Sequence, residues 1–431
     1  MRATRRGMGQ VFLGLALLMA FGAVGPPAVQ GAEEARVGLL LPFSGPWAKF
    51  GNEMAIAMEI ARELINQSGG VQGGKQVVFV KGDIPNPTAA TSEANRLIRQ
   101  EKMQVLLGTF AAPLGVAVSA VAAKEGVVHW EAFAGADIIT KRGSKWIFRN
   151  GAPSSVYGIT MLDAVREVVA PKLGSADLKA LRIGTLWENR PWGAGVVEGI
   201  RARAKELGIT LHLDEGYDQF ATDVTPIVQK VKDANLDVLL TISYFNDAVL
   251  IQKKSRELNM YVKALLAASA GYALPEFAQT MGKAANGIML LDLPSRINKA
   301  GLQPEAARLH DAFFDTYRKR AGHDPAGHAV ASFTTAYLLL NDVLRSAKGM
   351  TAEDIRQAAL ALDKPLGFQI NGWGVKFSQF DQPKDPKDAG QNLRSFVPVS
   401  QWQDGRHVAL WPRAVAVGEP ILIPLPTWDK R

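Results

Sequence analysis

Short apolar runs alternate with segments of helical apolar spacing along this chain, and the series starts a second time near residue 181. This alternation constrains the fold more tightly than any other feature. Ala35–Leu41 is a largely apolar run closed by Pro42, as expected of a strand buried on both faces. From Asn52 to Asn66, Met54, Ala57, Met58, Ala61 and Ile65 recur at helical spacing, with Asn52 placed to cap. Val77–Val80 reads as a strand. Thr88 is then placed to cap a helix with Ala90, Ala94, Leu97 and Ile98 on one face. Val105–Leu107 and Val127–Trp130 read as further strands around an Ala/Val-rich helix after Pro113. The second series comprises Arg182–Leu186, a helix bearing Val196, Val197, Ile200, Ala204 and Leu207, and strands at Thr210–Glu215, Val238–Ile242 and Val262–Leu266. Helices near 223–234 and 246–258 are interleaved. Alternating units with short connections predict an α/β fold with parallel, doubly wound sheets, and two series predict two sheets.

The later residues read differently. Long helices are predicted over 303–321 and 327–345, the second with Val330, Phe333, Tyr337, Leu340 and Leu344 at three-four spacing. Phe396–Gln401 and Arg406–Leu410 flank Asp404-Gly405, the pattern of a β-hairpin around a tight turn.

The N-terminus carries its own message. Arg2, Arg5 and Arg6 precede an apolar run from Val11 to Val24, and Val29-Gln30-Gly31 offers small residues suited to cleavage. The run is shorter than the about 20 residues a membrane span needs. Residues 1–31 are therefore expected to be a removed export signal, which implies a soluble periplasmic protein. The chain has 0 cysteines, which excludes disulfides, thiolate metal sites and a lipid-modified cysteine. Its formal charge of +8 falls to +5 without the three N-terminal arginines. The remaining basic residues are scattered and form no stripe with interleaved aromatics, so nucleic acid is not an expected partner.

The ordered motifs carry a resemblance. Leu41-Pro42-Phe43-Ser44-Gly45-Pro46, Phe50-Gly51 opening a helix, and Ile65-Asn66-Gln67-Ser68-Gly69-Gly70-Val71-Gln72-Gly73 closing it come first. Val105-Leu106-Leu107-Gly108, Trp187-Glu188-Asn189 through Trp192-Gly193, Leu236-Asp237-Val238, Ala285-Asn286-Gly287 and Gln401-Trp402-Gln403-Asp404-Gly405 follow. The set resembles the periplasmic solute-binding proteins of branched-chain amino acid type ABC transporters across nearly all of the chain beyond the export segment. The resemblance implies a two-lobed clamshell with three crossings, a ligand in the cleft, and delivery to an inner-membrane permease. The expected first lobe is 35–152 with 295–370, and the second is 153–294 with 371–415. Residues 416–431 form a tail. A monomer without cofactor or metal is expected.

Ligands of open α/β sheets lie outside the carboxyl ends of the strands. The expected cleft loops are Ser44–Gly51, Gly108–Leu114, Glu131–Ala136, Trp187–Gly193, Tyr244–Asp247 and Ala268–Tyr272. Amino-acid binders of the family present first-lobe hydroxyls to the ligand carboxylate, but here those positions fall at Ala112 or Pro113 and at about Gly135. The second-lobe carboxylate that holds the ligand ammonium falls near Ala270. An ammonium buried without an anionic partner is costly, so the resemblance does not carry an α-amino acid into this cleft. Two carboxylates are placed to substitute, Glu131 and Glu188, and either equally suits an ion pair or a solvated loop.

The candidate pocket residues are Trp47, Phe50, Phe110, Ala111, Ala112, Glu131, Phe133, Ala134, Trp192, Tyr244, Ala270 and Tyr272. Such an aromatic set suits an aromatic or aliphatic acid, an amide or another weakly polar solute. Phe110 and Phe245 read equally as core, and Arg149 as a carboxylate binder or a hinge residue. Catalytic patterns are missing. Gly69–Lys75 approaches a phosphate-binding loop, but Gln76 stands at the hydroxyl position, with helix before and strand after. His323 and His328 are spaced wrongly for one helix face, and His129 reads as a hydrogen-bonded core residue. The expected function is solute capture for an ABC importer, with a ligand-sensing module of the same fold as the alternative.

Overall fold

The computed structural model describes residues 33–268, 270–293, 297–379 and 389–431, apart from the side chain of Ala270. The segment read as an export signal lies outside these residues. The chain begins with β1 (Glu34–Leu41), α1 (Ala48–Gln67), β2 (Gln76–Asp83), α2 (Pro87–Arg99), β3 (Val105–Gly108), α3 (Ala112–Glu125), β4 (Val128–Glu131), α4 (Ile138–Lys141) and β5 (Ile147–Arg149). The five strands pair in parallel in the order β2-β1-β3-β4-β5.

The second lobe holds α5 (Ser154–Ala164), α6 (Ala170–Lys172), β6 (Ile183–Glu188), α7 (Pro191–Leu207), β7 (Leu211–Tyr217), α8 (Thr225–Asp233) and β8 (Val238–Ile242). It continues through α9 (Phe245–Glu257), β9 (Ala264–Ala268), α10 (Ala270–Ala273), α11 (Pro275–Met281) and β10 (Met289–Leu291). The chain then returns to the first lobe as α12 (Pro304–Ala321), α13 (Gly327–Tyr337), α14 (Ala352–Leu360), β11 (Asp363–Lys364) and β12 (Val375–Lys376). Finally β13 (Val399–Gln403) and β14 (Arg406–Trp411) form the expected hairpin, with Asp404 and Gly405 at positive φ in its turn. That hairpin extends the second sheet, ordered β14-β13-β10-β9-β8-β6-β7, antiparallel only at its β13 and β14 end. The two doubly wound sheets predicted from the alternation are present.

Local chemistry moved several boundaries. The first helix starts at Ala48 rather than Asn52, whose side chain instead donates to the Ala48 carbonyl at 2.8 Å. The second is capped by Asn86, which accepts the Ala89 N–H at 2.9 Å, rather than by Thr88. Pro87 explains the shift, since its fixed φ and missing N–H suit the first helical position. The helix predicted over 327–345 is α-helical only to Tyr337, and Leu338–Leu344 is π-helical.

Polar side chains fix the passages between the lobes near residues 150 and 392. Arg149 is buried, donating from Nε to Gln391 Oε1 at 2.7 Å and from Nη1 to the Ala136 carbonyl at 2.8 Å. Asn150 Nδ2 donates to Gln369 Oε1 at 2.7 Å, and Asn392 Nδ2 to Asn150 Oδ1 at 3.0 Å. Arg149 thus serves the hinge rather than a ligand. Trp373, Val375 and Phe377 pack in the first lobe's core, and the second lobe's core resumes at Val397. Residues 371–377, expected in the second lobe, therefore pack with the first. Among the described residues no helix is long and apolar enough to cross a membrane.

Candidate ligand-binding cleft

Strands that end in parallel leave their carboxyl-end loops facing one cleft, and here both sheets aim those loops at each other. The loop after β3 supplies Phe110 and Ala112, the loop after β4 Phe133 and Gly135, and the N-termini of α7 and α9 bring Trp192 and Tyr244. With Tyr157 on α5 and Leu291 and Asp292 at the end of β10, they line a cavity between the lobes.

The lobes touch around it. Tyr244 packs in the first lobe's core cluster with its ring 6.4 Å from that of Trp47, and its hydroxyl accepts the Ala112 N–H. Burial, with the charges of Glu188 and Asp247 nearby, holds that phenol well above its ordinary range. At the rim, Lys49 of α1 pairs with Glu276 of α11. Gly135 meets Trp192 so closely that a Cβ there would stand 2.4 Å from the indole Cζ3. Glycine at this position therefore gives the indole its seat, where a family hydroxyl was expected. The Trp192 ring also meets Tyr157 edge to face at 4.9 Å.

The walls are aromatic and layered. Phe110 stacks between Phe50 at 4.4 Å and Phe133 at 5.6 Å, so Phe50 backs the wall without lining it. Ala111 and Ala134 are buried in the first lobe, as is Trp47, whose Nε1 has no hydrogen-bond partner. Tyr272 lies in the second lobe's core, its hydroxyl accepting from Gln252 at 3.2 Å, and does not reach the cavity. The side chain of Ala270 lies outside the described residues.

Neither glutamate singled out from the sequence lines the cavity. Glu131 Oε1 accepts the N–H groups of Thr109 at 2.8 Å, Phe133 at 2.9 Å and Ala134 at 2.8 Å. Its Oε2 accepts from the Thr109 hydroxyl at 3.1 Å and lies 3.2 Å from His129 Nε2. It is a positioning residue that ties together the two loops carrying Phe110 and Phe133. His129 is the buried core histidine expected, with Nε2 also 3.1 Å from the Gly108 carbonyl. Glu188 accepts the N–H groups of Arg190 at 2.9 Å and Gly193 at 2.6 Å, holding the start of α7. Burial nonetheless pushes its acid up to about 8.

The carboxylate that does reach the cavity is one the sequence reading passed over. Asp292 follows β10, is 2 % exposed, and accepts the Leu293 N–H on Oδ1 at 2.7 Å. Among the described residues its Oδ2 is buried without a hydrogen-bond partner. Gly327, at the start of α13, leaves room for it, since a Cβ there would come within 2.2 Å of Oδ1. Burial pushes the acid up to about 6, against the pull of the Leu293 N–H and of His328. The Tyr157 hydroxyl is raised by burial and by Asp292 itself. A carboxylate ending the run Ile288-Met289-Leu290-Leu291 at a strand's carboxyl end was the available sign. Among the described residues no Lys, Arg or His lines the cavity.

A family model described as periplasmic binding protein matches residues 34–395. Leu/Ile/Val-binding protein homolog 7 of Brucella suis is 32 % identical over 394 residues, covering 91 % of this chain and 95 % of that protein. Homolog 8 of Brucella abortus is 29 % identical over 388 residues, covering 90 % and 92 %. Among solved structures, the branched-chain amino acid substrate-binding protein LivJ of Streptococcus pneumoniae, in complex with isoleucine, superposes with a TM-score of 0.71 at 20 % identity, covering 90 % of this chain and 100 % of that one. A solute-binding protein of Rhodopseudomonas palustris in complex with benzoate gives 0.69 at 21 % identity, covering 90 % and 98 %. These likenesses speak to the fold, which they share in its two parallel-sheet lobes. With its sequence matched from the first strand to the last crossing, the chain belongs to the periplasmic binding protein family, a family of solute-binding receptors.

Proposed function

We propose that this chain is the periplasmic receptor of an ABC importer and that it captures a small, weakly polar organic solute bearing an N–H donor, an amide or an amine. The observation carrying the ligand class is the unpartnered, buried Oδ2 of Asp292 inside an aromatic-walled cavity. An N–H group satisfies it, whereas a carboxylate ligand meets a second acid and no cation among the described lining residues. The aromatic rings supply apolar contact for the rest of the solute. The relatives named for leucine, isoleucine and valine support the transport role. The positions expected to offer an amino-acid carboxylate its hydroxyls carry none here, and two nearby hydroxyls are spent elsewhere: Thr109 Oγ1 on Glu131, and Ser154 Oγ, at the start of α5, on the Gly135 carbonyl at 2.6 Å.

Thermal shift and calorimetric titration of the purified protein test the reading, with benzamide, aliphatic amides, amines, benzoate and leucine as ligands. Saturation at about 100 times the dissociation constant adds about 2.7 kcal/mol, enough to raise the melting point measurably. Amides or amines are expected to bind, and Asp292→Asn to weaken them by about ten- to a hundredfold, as for a hydrogen bond to a charged group. Tight binding of leucine or benzoate, undiminished in that variant, would overturn the ligand class.

A further inference from the structure

A second cavity lies in the first lobe and shares no lining residue with the interlobe cleft. It lies beside a break in helical regularity. Where α13 passes into the π-helical stretch Leu338–Leu344, hydrogen bonds skip an extra residue and the coil widens. Asn341 and Asp342 then line the cavity beside Phe333 and Tyr337. The first turn of α12, with Glu305, and the segment Phe368–Ile370 complete it. Single-turn π stretches are enriched at functional sites.

The lining has a definite chemistry. Phe333, Tyr337 and Phe368 supply aromatic surface. Glu305 and Asp342 supply acid, and no Lys, Arg or His stands among the lining residues. Two cations stand at its edge without lining it: Lys364 sits 5.5 Å over the Phe368 ring, and Arg345 donates to Asn341 Oδ1 at 2.7 Å. Asp342 is held up to about 6 chiefly by burial, with Glu305 adding to the rise and Asn341, Lys364 and Arg345 opposing it. Two acids facing one aromatic-lined space are both relieved by a cation placed between them. Gln369, on the far wall, also accepts from and donates to Asn150 at 2.7 and 3.2 Å, so the cavity abuts a lobe crossing.

We propose that this cavity is a second binding site, separate from the cleft, for a small organic cation with an aromatic or aliphatic body, an amine held between Glu305 and Asp342 against Phe333, Tyr337 and Phe368. The test uses the full chain carrying Asp292→Asn, which removes the cleft's carboxylate charge, and benzylamine as the probe. Benzyl alcohol and benzoate are the neutral and anionic controls. Saturable benzylamine binding, at least about tenfold tighter than either control, is expected, with the preference lost on adding Glu305→Gln and Asp342→Asn. Methyl resonances of Leu309, Leu338 and Ile370 are expected to shift with benzylamine, a readout that needs no acid variant to fold. Equal binding of benzyl alcohol, no saturable binding, or shifts confined to other methyls would overturn the proposal. An amide or amine that fails only in the cleft, with these methyl shifts intact, would count against the cleft reading alone.

Discussion

Asp292→Asn separates what a residue does for the fold from what it does for a ligand. An acid whose folded-state pKa is raised binds more protons folded than unfolded, so stability falls as pH rises between the two values. With an ordinary value of 3.8 and a folded value of about 6, the penalty is absent well below 3.8 and complete above about 6. It amounts to about 3 kcal/mol near pH 7 and about 1 kcal/mol near pH 4.5. Asparagine does not titrate, so the gap in stability between the variant and the wild type should grow by about 2 kcal/mol in the variant's favour over that interval. Taking the difference cancels the other raised acids, Glu188, Asp247 and Asp342, which both proteins share. It also cancels any fixed cost of an amide N–H left without an acceptor. Paired urea melts at the two pH values, without ligand, measure it. A gap that does not change with pH, or that moves the other way, would refute the view that the Asp292 carboxylate is buried and unpaired.

Other consequences are more local. Trp192→Ala removes an indole from the cavity wall and should weaken solute binding about tenfold or more in a calorimetric titration, with the fold retained. Gly135→Ala places a methyl against that indole and should hinder closure, seen as a larger radius of gyration in small-angle scattering with ligand present than for the wild type. Glu131→Gln keeps an oxygen for the three backbone N–H groups but sets an amide donor against the Thr109 hydroxyl and His129 Nε2, and should cost about 1–3 kcal/mol of stability in chemical denaturation, with the loops bearing Phe110 and Phe133 exchanging amide protons faster.

The fold was legible because its evidence is local. A doubly wound sheet repeats strand and helix along the chain, and the runs at Ala35–Leu41 and Val238–Ile242 carry that period in their own residues. The hairpin around Asp404 and Gly405 was legible for the same reason. The helix starts at Ala48 and Pro87 were missed by a few residues, because several polar residues compete to cap and backbone geometry decides among them. The π-helical stretch after Tyr337 left no mark on apolar spacing.

The site was only half legible. Phe110, Phe133, Trp192 and Tyr244 follow strand ends in predicted loops, and they do line the cavity. Which acid faces it is another matter. Glu131 and Asp292 are both acids at strand ends, and what separates them is how many N–H groups each finds nearby. Glu131 finds three and Asp292 one. That count depends on loop geometry, which no periodicity encodes. Tyr157 was hidden for a different reason: it lies inside helix α5 rather than in a loop after a strand, and it reaches the cavity by meeting the Trp192 indole of the neighbouring α7.

Placing a thirsty acid beside a crossing has a consequence for the economy of transport. With no solute inside, Asp292 is better served by water, and water reaches it when the lobes part. On the proposed reading the empty receptor would favour parted lobes, and a solute that replaces the lost water would reverse that bias. A permease that recognises the shut form would then be spared engaging an empty carrier.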